Sequence, residues 1–264
     1  MTFIDYETLL IERRGRVLEI TLNRPEKLNA VDEKMHAELA RVFVDVSNDP
    51  DSDIAVLTGA GRSFSSGGDI EWMQKMIDNP ASFEKTAREG KQIVFSLLDC
   101  EKPVIAKLNG HATGLGATIA LFCDVIFASE NAKIGDPHVS VGFVAGDGGA
   151  VIWPQLIGYA RAKEYLMTGD LMLATEAARI GLINHAVPAA QLDERVRQFA
   201  DRLAAGATKA IRWSKMSANI GLKQLAHSIM DASLAFEAMS NTTSDHQEAV
   251  NAFREKRAAV FTGR

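Results

Sequence analysis

The chain has 264 residues, of which 47% are hydrophobic and 24% are charged, and its formal net charge is −5. These values are typical of a globular protein with a full apolar core, and the length suits one large domain with or without a small helical extension. Because no long cationic run interrupts this mildly acidic balance, neither a nucleic acid nor an anionic membrane surface is indicated as a partner.

Targeting, membrane and metal signals are weak. No stretch reaches the about 18 uncharged apolar residues that a membrane helix needs. The first residues include Asp5 and Glu7 and lack the apolar region of a signal peptide. Cys100 and Cys123 lie in apolar sequence without metal-ligand spacing, which favours reduced buried thiols. We therefore expect a cytoplasmic protein without a metal site.

The first half of the chain alternates predicted strands with predicted helices. Residues 6–13 and 17–22 form a predicted β-hairpin, and residues 32–46 place apolar side chains at helical spacing. Further segments follow in order: a strand at 54–58, a helix from Pro80 to about residue 98, and strands at 103–108, 125–128 and 132–135. This alternation indicates βαβ units with parallel pairing, and hence the α/β class.

The strand signals end at Gly149, and helical patterns follow. The predicted helices cover residues 160–167, 175–180, 191–204 and 222–238, and a last one begins at Ser244. We divide the chain into a core of residues 1–200 and a C-terminal helical region of residues 201–264. We expect that region to pack both on the core and on neighbouring subunits.

Two glycine-rich turns stand between a predicted strand and a predicted helix, at residues 65–69 and 113–116. The first backbone N–H groups of a helix have no partner within the helix, and they attract negative charge. If the two strands are neighbours, one N–H group from each turn can bind the same carbonyl oxygen. The alternative is that each turn only allows a helix to pack close to a strand.

Several segments together resemble the crotonase superfamily, the enoyl-CoA hydratase/isomerase family, over nearly the whole chain. The matching segments are LNRPEKLNA (22–30), FSSGGDI (64–70), KPVIA (102–106) with NG (109–110), GDGG (146–149), LMTG (166–169), ARIG (178–181) and FREKR (253–257). One short motif is weak support, but this many in the same order is specific for the family.

The resemblance implies a spiral core of stacked ββα units followed by a helical trimerisation region. It also implies acyl-CoA thioester substrates whose enolate oxygen is held by two backbone N–H groups, here those of Ser66 and Leu115. Coenzyme A then enters as part of the substrate, no separate cofactor is expected, and the assembly is a homotrimer or a dimer of trimers.

The resemblance also implies where the substrate lies. The residues at the family's coenzyme A positions are Lys27, Asp69, Ile70, Phe253 and Lys256. The two lysines have an equally simple interpretation as solvated surface residues. Trp72, Met73 and Met76 follow the first glycine turn at helical spacing, where they line the acyl pocket or form ordinary core.

The chain departs from the family at its two acidic positions, which hold Thr118 and His138. Hydration of a conjugated thioester needs a base for water and an acid for carbon. Threonine can only orient, whereas histidine can act as either. Asp147, nine positions after His138, is predicted to accept from one imidazole nitrogen and fix the tautomer. The alternatives are a helix N-cap for Asp147 and a backbone contact for His138.

The His138/Asp147 pair resembles the site of oxocamphor hydrolase, a crotonase relative that cleaves carbon–carbon bonds in β-diketones. The third catalytic residue of that enzyme matches Glu237 in LAFEAM (234–239). That relative lacks the glycine turns seen here and does not use coenzyme A. On an amphipathic helix, Glu237 also has the simpler interpretation of a solvent-facing residue.

The sequence thus supports three functional hypotheses. The first is an enoyl-CoA hydratase or isomerase in which His138, oriented by Asp147, is the acid/base. The second is a retro-Claisen hydrolase of a β-diketone or β-keto acyl-CoA. The third is a non-catalytic binding protein, against which the intact glycine turns argue because a scaffold needs no paired N–H donors.

Overall fold

The computed structural model describes Phe3 and residues 5–264. The strands are β1 (Leu9–Arg14), β2 (Val17–Leu22), β3 (Ile54–Gly59), β4 (Ser63–Ser65), β5 (Val104–Leu108), β6 (His111–Thr113), β7 (Val125–Ser129), β8 (Lys133–Gly135), β9 (Met172–Leu173) and β10 (His185–Val187). The α-helices are α1 (Glu33–Asn48), α2 (Ile70–Asp78), α3 (Phe83–Asp99), α4 (Leu115–Phe122), α5 (Gly149–Ile157), α6 (Tyr159–Thr168), α7 (Ala174–Arg179), α8 (Leu192–Ala204), α9 (Thr208–Ser240) and α10 (Ser244–Glu255).

The larger sheet has the strand order β1-β2-β3-β5-β7-β10. β1 and β2 form the predicted antiparallel hairpin, and every later neighbour pairs in parallel. β3 and most of β5 are buried on both faces, which is the pattern of strands covered by helices on either side. The predicted α/β class with parallel pairing is confirmed.

The smaller sheet positions the functional groups. Its order is β4-β6-β8-β9, and β4, β6 and β8 run in parallel. The carboxyl ends of parallel strands meet at one edge of the sheet, where open α/β folds bind ligands. β4 leads into the first glycine turn, β6 into the second, and β8 into the segment from Asp136 to His138. Three chemically important segments therefore meet at one edge.

Helix α1 shows how the apolar pattern forms the core. The Asp32 side chain accepts from the Met35 N–H at 2.9 Å and caps the helix. The predicted apolar face is fully buried: Met35, Leu39, Val42, Phe43 and Val46. On the other side of the larger sheet, Leu192 and Val196 of α8 pack against strand residues in a second core. The sheet is thus covered on both faces.

Two expectations about the second half need correction. Strands do occur after Gly149, since β9 pairs with β8 and β10 extends the larger sheet beside β7. They have only two and three residues, too few to show an alternating pattern. The last long helix, α9, begins at Thr208 rather than near residue 222. The predicted core boundary at residue 200 falls within α8.

The C-terminal helices close over the core. α9 contacts α3 and α5, and α10 contacts α2 and the 3-10 helix His138–Val141. Across the described residues, each helix is either too short or too polar to cross a membrane. The packing of this region on neighbouring subunits remains a prediction.

Candidate active site

The second glycine turn presents a free donor. Gly114 has φ 54° and ψ −130°, a conformation that side chains on L-residues rarely adopt, and its N–H donates to the Gly135 carbonyl at 3.1 Å. Leu115 is the first residue of α4, so its N–H has no acceptor within the helix. The structure places this predicted donor at the edge of the smaller sheet.

The prediction that the Ser66 N–H is the free donor of the first turn is wrong. The Ser66 N–H donates to the Leu28 carbonyl at 3.1 Å and is not available to a ligand. Val31 pairs in parallel with the next part of the turn, using the Gly67 carbonyl (2.7 Å) and the Asp69 N–H (2.9 Å). Within the described chain the Gly68 N–H has no acceptor, so Gly68 replaces Ser66 as the candidate donor.

The two turns and the imidazole are in contact. A Cβ atom built on Gly114 would lie 3.6 Å from the Gly67 Cα atom and 3.6 Å from His138 Cε1. Gly68, Leu115 and His138 line the same cavity. The arrangement can therefore hold a carbonyl oxygen beside a group that exchanges protons.

His138 lies between two carboxylates. Its Nδ1 is hydrogen-bonded to Asp136 Oδ1, and its Nε2 lies 3.6 Å from Asp147 Oδ2. The Thr118 hydroxyl donates to Asp147 Oδ1 at 3.2 Å. All four side chains are buried. The structure thus brings together His138, Asp147 and Thr118 as predicted.

The predicted division of roles needs correction. The carboxylate that accepts from the imidazole is that of Asp136, because 3.6 Å from Nε2 to Asp147 is too long for a hydrogen bond. Sequence analysis missed Asp136, although it stands two residues before His138 in the segment after β8. An acidic residue two positions from a candidate acid/base histidine is a signal in the sequence that could have identified Asp136 as its partner.

The pKa values of His138 and Asp147 are both raised above their ordinary values. Burial lowers the pKa of His138, but the charges of Asp136 and Asp147 outweigh this and raise it to about 10. Burial also raises the pKa of Asp147, against the opposing effects of the His138 charge and the Thr118 hydrogen bond. The imidazole is therefore protonated near neutral pH, with Asp147 facing its Nε2 side.

Glu237 belongs to this site. It is 5% exposed and lines the cavity with His138 and Asp147, which rules out the alternative interpretation as a solvent-facing residue. The loop before α5 reaches α9 because Gly146 has no side chain: a Cβ there would lie 2.4 Å from the Ser233 carbonyl oxygen. Burial, followed by the Asp147 charge, holds the pKa of Glu237 well above its ordinary value. Its Oε2 has no hydrogen-bond partner among the described residues.

The predicted acyl pocket is a small cavity. Trp72, Met73 and Met76 line it together with His138, Asp147 and Glu237, and its volume is about 40 Å³. The same wall includes His36, a buried residue that pairs with Glu89 at 2.8 Å and that sequence patterns did not indicate as a pocket residue. This space holds a few water molecules, so a larger acyl group must displace flexible side chains such as Met73.

A second, larger cavity of about 780 Å³ reaches the same imidazole from the surface. It is lined by all five residues predicted to bind coenzyme A: Lys27, Asp69, Ile70, Phe253 and Lys256. Arg62 and Arg254 add positive charge that sequence analysis missed. The Asp69 side chain caps α2 through the Glu71 N–H (2.9 Å) and pairs with Arg24 (3.2 Å), so it also stabilises the first glycine turn, and its contact with coenzyme A stays a prediction.

Asp136, His138 and Asp147 also form a potential metal-ligand group, since their donor atoms lie within 4.8 Å of one another. The imidazole, however, has its Nδ1 bonded to Asp136, and its high pKa favours a proton on the ring over a metal ion. The sequence-based expectation of no metal remains a prediction.

Comparison with known proteins places this chain in a family. The sequence model of the enoyl-CoA hydratase/isomerase family matches residues 12–264. A crotonyl-CoA hydratase of Syntrophomonas wolfei is 37% identical, over 97% of this chain and 98% of that protein.

Solved structures of related proteins are similar to this chain over nearly its whole length. An enoyl-CoA hydratase/isomerase from Mycobacterium paratuberculosis has a TM-score of 0.87 and 36% identity, covering 94% of this chain and 99% of its own. A β-diketone hydrolase from the cyanobacterium Anabaena, bound to (S)-3-oxocyclohexyl acetic acid, has a TM-score of 0.85 and 32% identity, covering 91% and 96%. The chain therefore has the crotonase fold and is an enzyme of the enoyl-CoA hydratase/isomerase family.

Proposed function

We propose that this enzyme adds water to the α,β-double bond of an acyl-CoA thioester, or removes water in the reverse direction. One observation carries the proposal: His138 Nε2 and Asp147 Oδ2 face each other 3.6 Å apart in the cavity that Gly68 and Leu115 also line. A hydratase needs one proton donor and one proton acceptor beside an oxyanion site, and this arrangement supplies all three.

The reaction would proceed through a thioester enolate. Asp147 takes a proton from water, whose oxygen attacks the β-carbon, and the electron pair of the double bond moves toward the thioester oxygen. The N–H groups of Gly68 and Leu115 stabilise the resulting negative charge. His138 then gives a proton to the α-carbon, which yields a 3-hydroxyacyl-CoA. Isomerisation of a double bond would use the same enolate with proton transfer alone.

The electrostatics support this assignment of roles. With a pKa of about 10, His138 is a proton donor near neutral pH. The raised pKa of Asp147 makes its carboxylate a stronger base than an exposed aspartate, while the imidazolium and the Thr118 hydroxyl favour its ionised form. Asp147 thus supplies the carboxylate that a hydratase of this family carries at position 118.

The larger cavity suits coenzyme A. Four cationic side chains line it, those of Lys27, Arg62, Arg254 and Lys256, and such groups bind phosphates. Arg254 is held at 2.5 Å from Glu71 and 3.0 Å from Gln74, which joins α10 to α2 across this cavity. Phe253 is exposed there and offers an apolar surface to a ligand.

The test is to add the wild-type enzyme to crotonyl-CoA and follow the absorbance of the conjugated thioester. We expect the absorbance to fall and mass spectrometry to show one added water. Asp147→Asn should lower kcat by about 100- to 10,000-fold, the usual contribution of a general base. The control is Asp124→Asn, which changes a carboxylate bonded to Val104 and Lys215 outside the cavity and should keep the rate.

A second candidate function is hydrolytic cleavage of a β-keto acyl-CoA. It is favoured by Glu237, a carboxyl group beside His138 and Asp147 in the cavity that hydration does not require, and by the similarity to the Anabaena β-diketone hydrolase. Water would attack the β-keto carbon, and the bond between the α- and β-carbons would break to give a carboxylic acid. The electron pair would form the same thioester enolate, which a proton then quenches at the α-carbon.

Products distinguish the two reactions. If crotonyl-CoA is unchanged while the folded protein binds it, a β-keto thioester such as acetoacetyl-CoA is the next substrate. Release of acetate and acetyl-CoA would establish cleavage. An Asp147→Asn variant that hydrates crotonyl-CoA at the wild-type rate would contradict the proposed role of Asp147 as the base in hydration.

A further inference from the structure

Asp136 is a buried carboxylate to which the proposed reaction assigns no step. It is 0% exposed and lies two residues before His138, directly after β8. Its Oδ1 is hydrogen-bonded to His138 Nδ1, and its Oδ2 has no hydrogen-bond partner among the described residues. Burying a carboxylate costs free energy unless it is paired. Among the described side chains, the ionic partner of Asp136 is the His138 imidazole.

We propose that Asp136 is a positioning residue that keeps a proton on Nδ1 of His138 and so makes Nε2 the atom that exchanges a proton with substrate. The inference rests on the proposed role of His138 as an acid/base, whichever of the two reactions the enzyme catalyses. A hydrogen bond to one ring nitrogen determines the tautomer and orients the other nitrogen.

The geometry places Nε2 where substrate would react. A Cβ atom built on Gly114 would lie 3.9 Å from Nε2 and 3.6 Å from Cε1, so this edge of the ring faces the glycine turn that presents the Leu115 N–H. Asp147 lies on the same side, 3.6 Å from Nε2. Nδ1 points the opposite way, into the buried carboxylate of Asp136. Substrate and positioning group therefore use different nitrogens.

Four ionisable groups from different elements surround His138. Asp136 comes from the segment after β8, Asp147 from the loop before α5, and Glu237 from α9. His246 comes from α10 and faces the ring across Phe143, whose centroid is 6.0 Å from that of His138 and 4.6 Å from that of His246. Of these groups only Asp136 is hydrogen-bonded to the imidazole, so its charge acts at the shortest distance.

Gly149 provides a second way to disturb the contact. A Cβ atom at this position would lie 2.2 Å from Asp136 Oδ2, closer than any real contact allows. Gly149→Ala therefore forces this carboxylate to shift from its present position beside His138 while keeping its charge. Asp136→Asn removes the charge and keeps the shape, so the two substitutions perturb the same contact differently.

The experiment is an NMR titration of the ¹⁵N-labelled imidazoles, with the His138 signal assigned from its loss in His138→Gln. We expect Asp136→Asn to lower the pKa of His138 by about one unit or more, as expected when a carboxylate in contact is neutralised. Gly149→Ala should lower it in the same direction. The alkaline limb of kcat/KM should move with the titration, a change that loss of folded protein would not cause.

The matched control is Glu89→Gln, which disrupts another buried histidine–carboxylate pair, that of His36, and should leave the His138 titration unchanged. The inference is overturned if His138 titrates at the wild-type pH in both folded variants, Asp136→Asn and Gly149→Ala. The titration needs no substrate. A protein that turns over neither thioester but shows the shift would contradict the proposed function and leave the positioning role standing.

Discussion

Thr118 occupies a position where the family resemblance implies a carboxylate, yet its hydroxyl lies 3.2 Å from the carboxylate of Asp147. The close approach of the loop before α5 explains this, because a Cβ on Gly148 would lie 3.0 Å from Thr118 Cγ2. A glutamate at position 118 would crowd this contact and place two carboxylates side by side. We infer that the carboxylate proposed as the base comes from Asp147, in the loop before α5, instead of from position 118 on α4.

The buried acid Glu237 makes stability depend on pH. Because its folded-state pKa is well above the ordinary value of 4.5, folding requires proton uptake as the pH rises above that value. Its contribution to stability is present below the unfolded-state pKa and is lost as the pH rises toward the folded-state pKa. Glu237→Gln does not titrate, so we expect its free energy of unfolding to improve relative to wild type by up to about 1.4 kcal/mol per pH unit.

Urea denaturation of both proteins between pH 5 and pH 8 measures this difference. A buried amide adds a constant cost, so the slope of the difference against pH is the informative quantity. Glu164→Gln changes an exposed residue of α6 and should follow wild type at every pH. Parallel curves for wild type and Glu237→Gln would mean that Glu237 ionises normally in the folded protein.

At the residue scale, the sequence indicated which residues carry the chemistry, but not which of their atoms make the contacts. His138 and Asp147 meet as expected because both stand in loops at the same sheet edge. Ser66 could not be separated from Gly68, because the difference depends on which N–H groups Leu28 and Val31 already use. Glu237 could be linked to the site only through the family resemblance, since its burial results from the approach of the loop at Gly146 to α9.

At the scale of elements, the long and strongly patterned segments were predictable and the short strands were not. α1, β3 and the β1–β2 hairpin match their predicted positions within a few residues. β4, β9 and β10 have two or three residues each, so no periodicity reveals them. The sheet that positions the site consists of such short strands, and tertiary pairing alone determines it.

The C-terminal end of α1 depends on a buried lysine. Lys102 is 2% exposed, and its Nζ donates to the carbonyls of Val46 and Asp49 and to Ser52 Oγ at 3.0 Å. The Val46 carbonyl also accepts from the Asp49 N–H at 3.3 Å, so this ammonium group adds a second donor at the end of α1 and joins α1 to the segment before β5. We expect Lys102→Met to lower the free energy of unfolding by about 2–4 kcal/mol, because it removes the donor from buried acceptors.

Urea denaturation monitored by circular dichroism provides the measurement. Lys91→Met is the matched control, because Lys91 pairs with an exposed aspartate, Asp231, and such pairs contribute about 0–1 kcal/mol. Activity per folded molecule should be unchanged in both variants. A Lys102→Met protein as stable as the control would show that the three contacts are not important for folding.

At the scale of the whole molecule, the C-terminal helices complete the site as well as covering the core. α9 contributes Glu237 to the cavity, and α10 places Phe253 and Lys256 beside the larger cavity. The sequence supported the family and the presence of this region, since many motifs occur in one order. The resemblance suggested that Glu237 joins His138, but the residues themselves did not show it, because that contact depends on the packing of α9 against α3 and α5.

The same helices carry large apolar side chains that the single chain leaves in water. On α9, Trp213 and Ile220 are 61% and 60% exposed on one side, and Phe236 and Met239 are 60% and 67% exposed on another. Apolar groups repeated along a surface helix are typical of a protein–protein interface. We expect wild type to sediment as three or six copies of the 28.7 kDa chain, in line with the trimer or dimer of trimers that the family resemblance implies.

Two double variants locate the interface, Trp213→Glu with Ile220→Glu and Phe236→Glu with Met239→Glu. We expect at least one of them to reduce the sedimenting mass to that of a smaller species, because buried carboxylates oppose association. Lys209 is an exposed residue of α9, and Lys209→Glu changes the charge by the same two units. This control should leave the sedimenting mass unchanged. A wild-type protein that sediments as a 28.7 kDa monomer at micromolar concentration would contradict the predicted assembly and leave these side chains without a partner subunit.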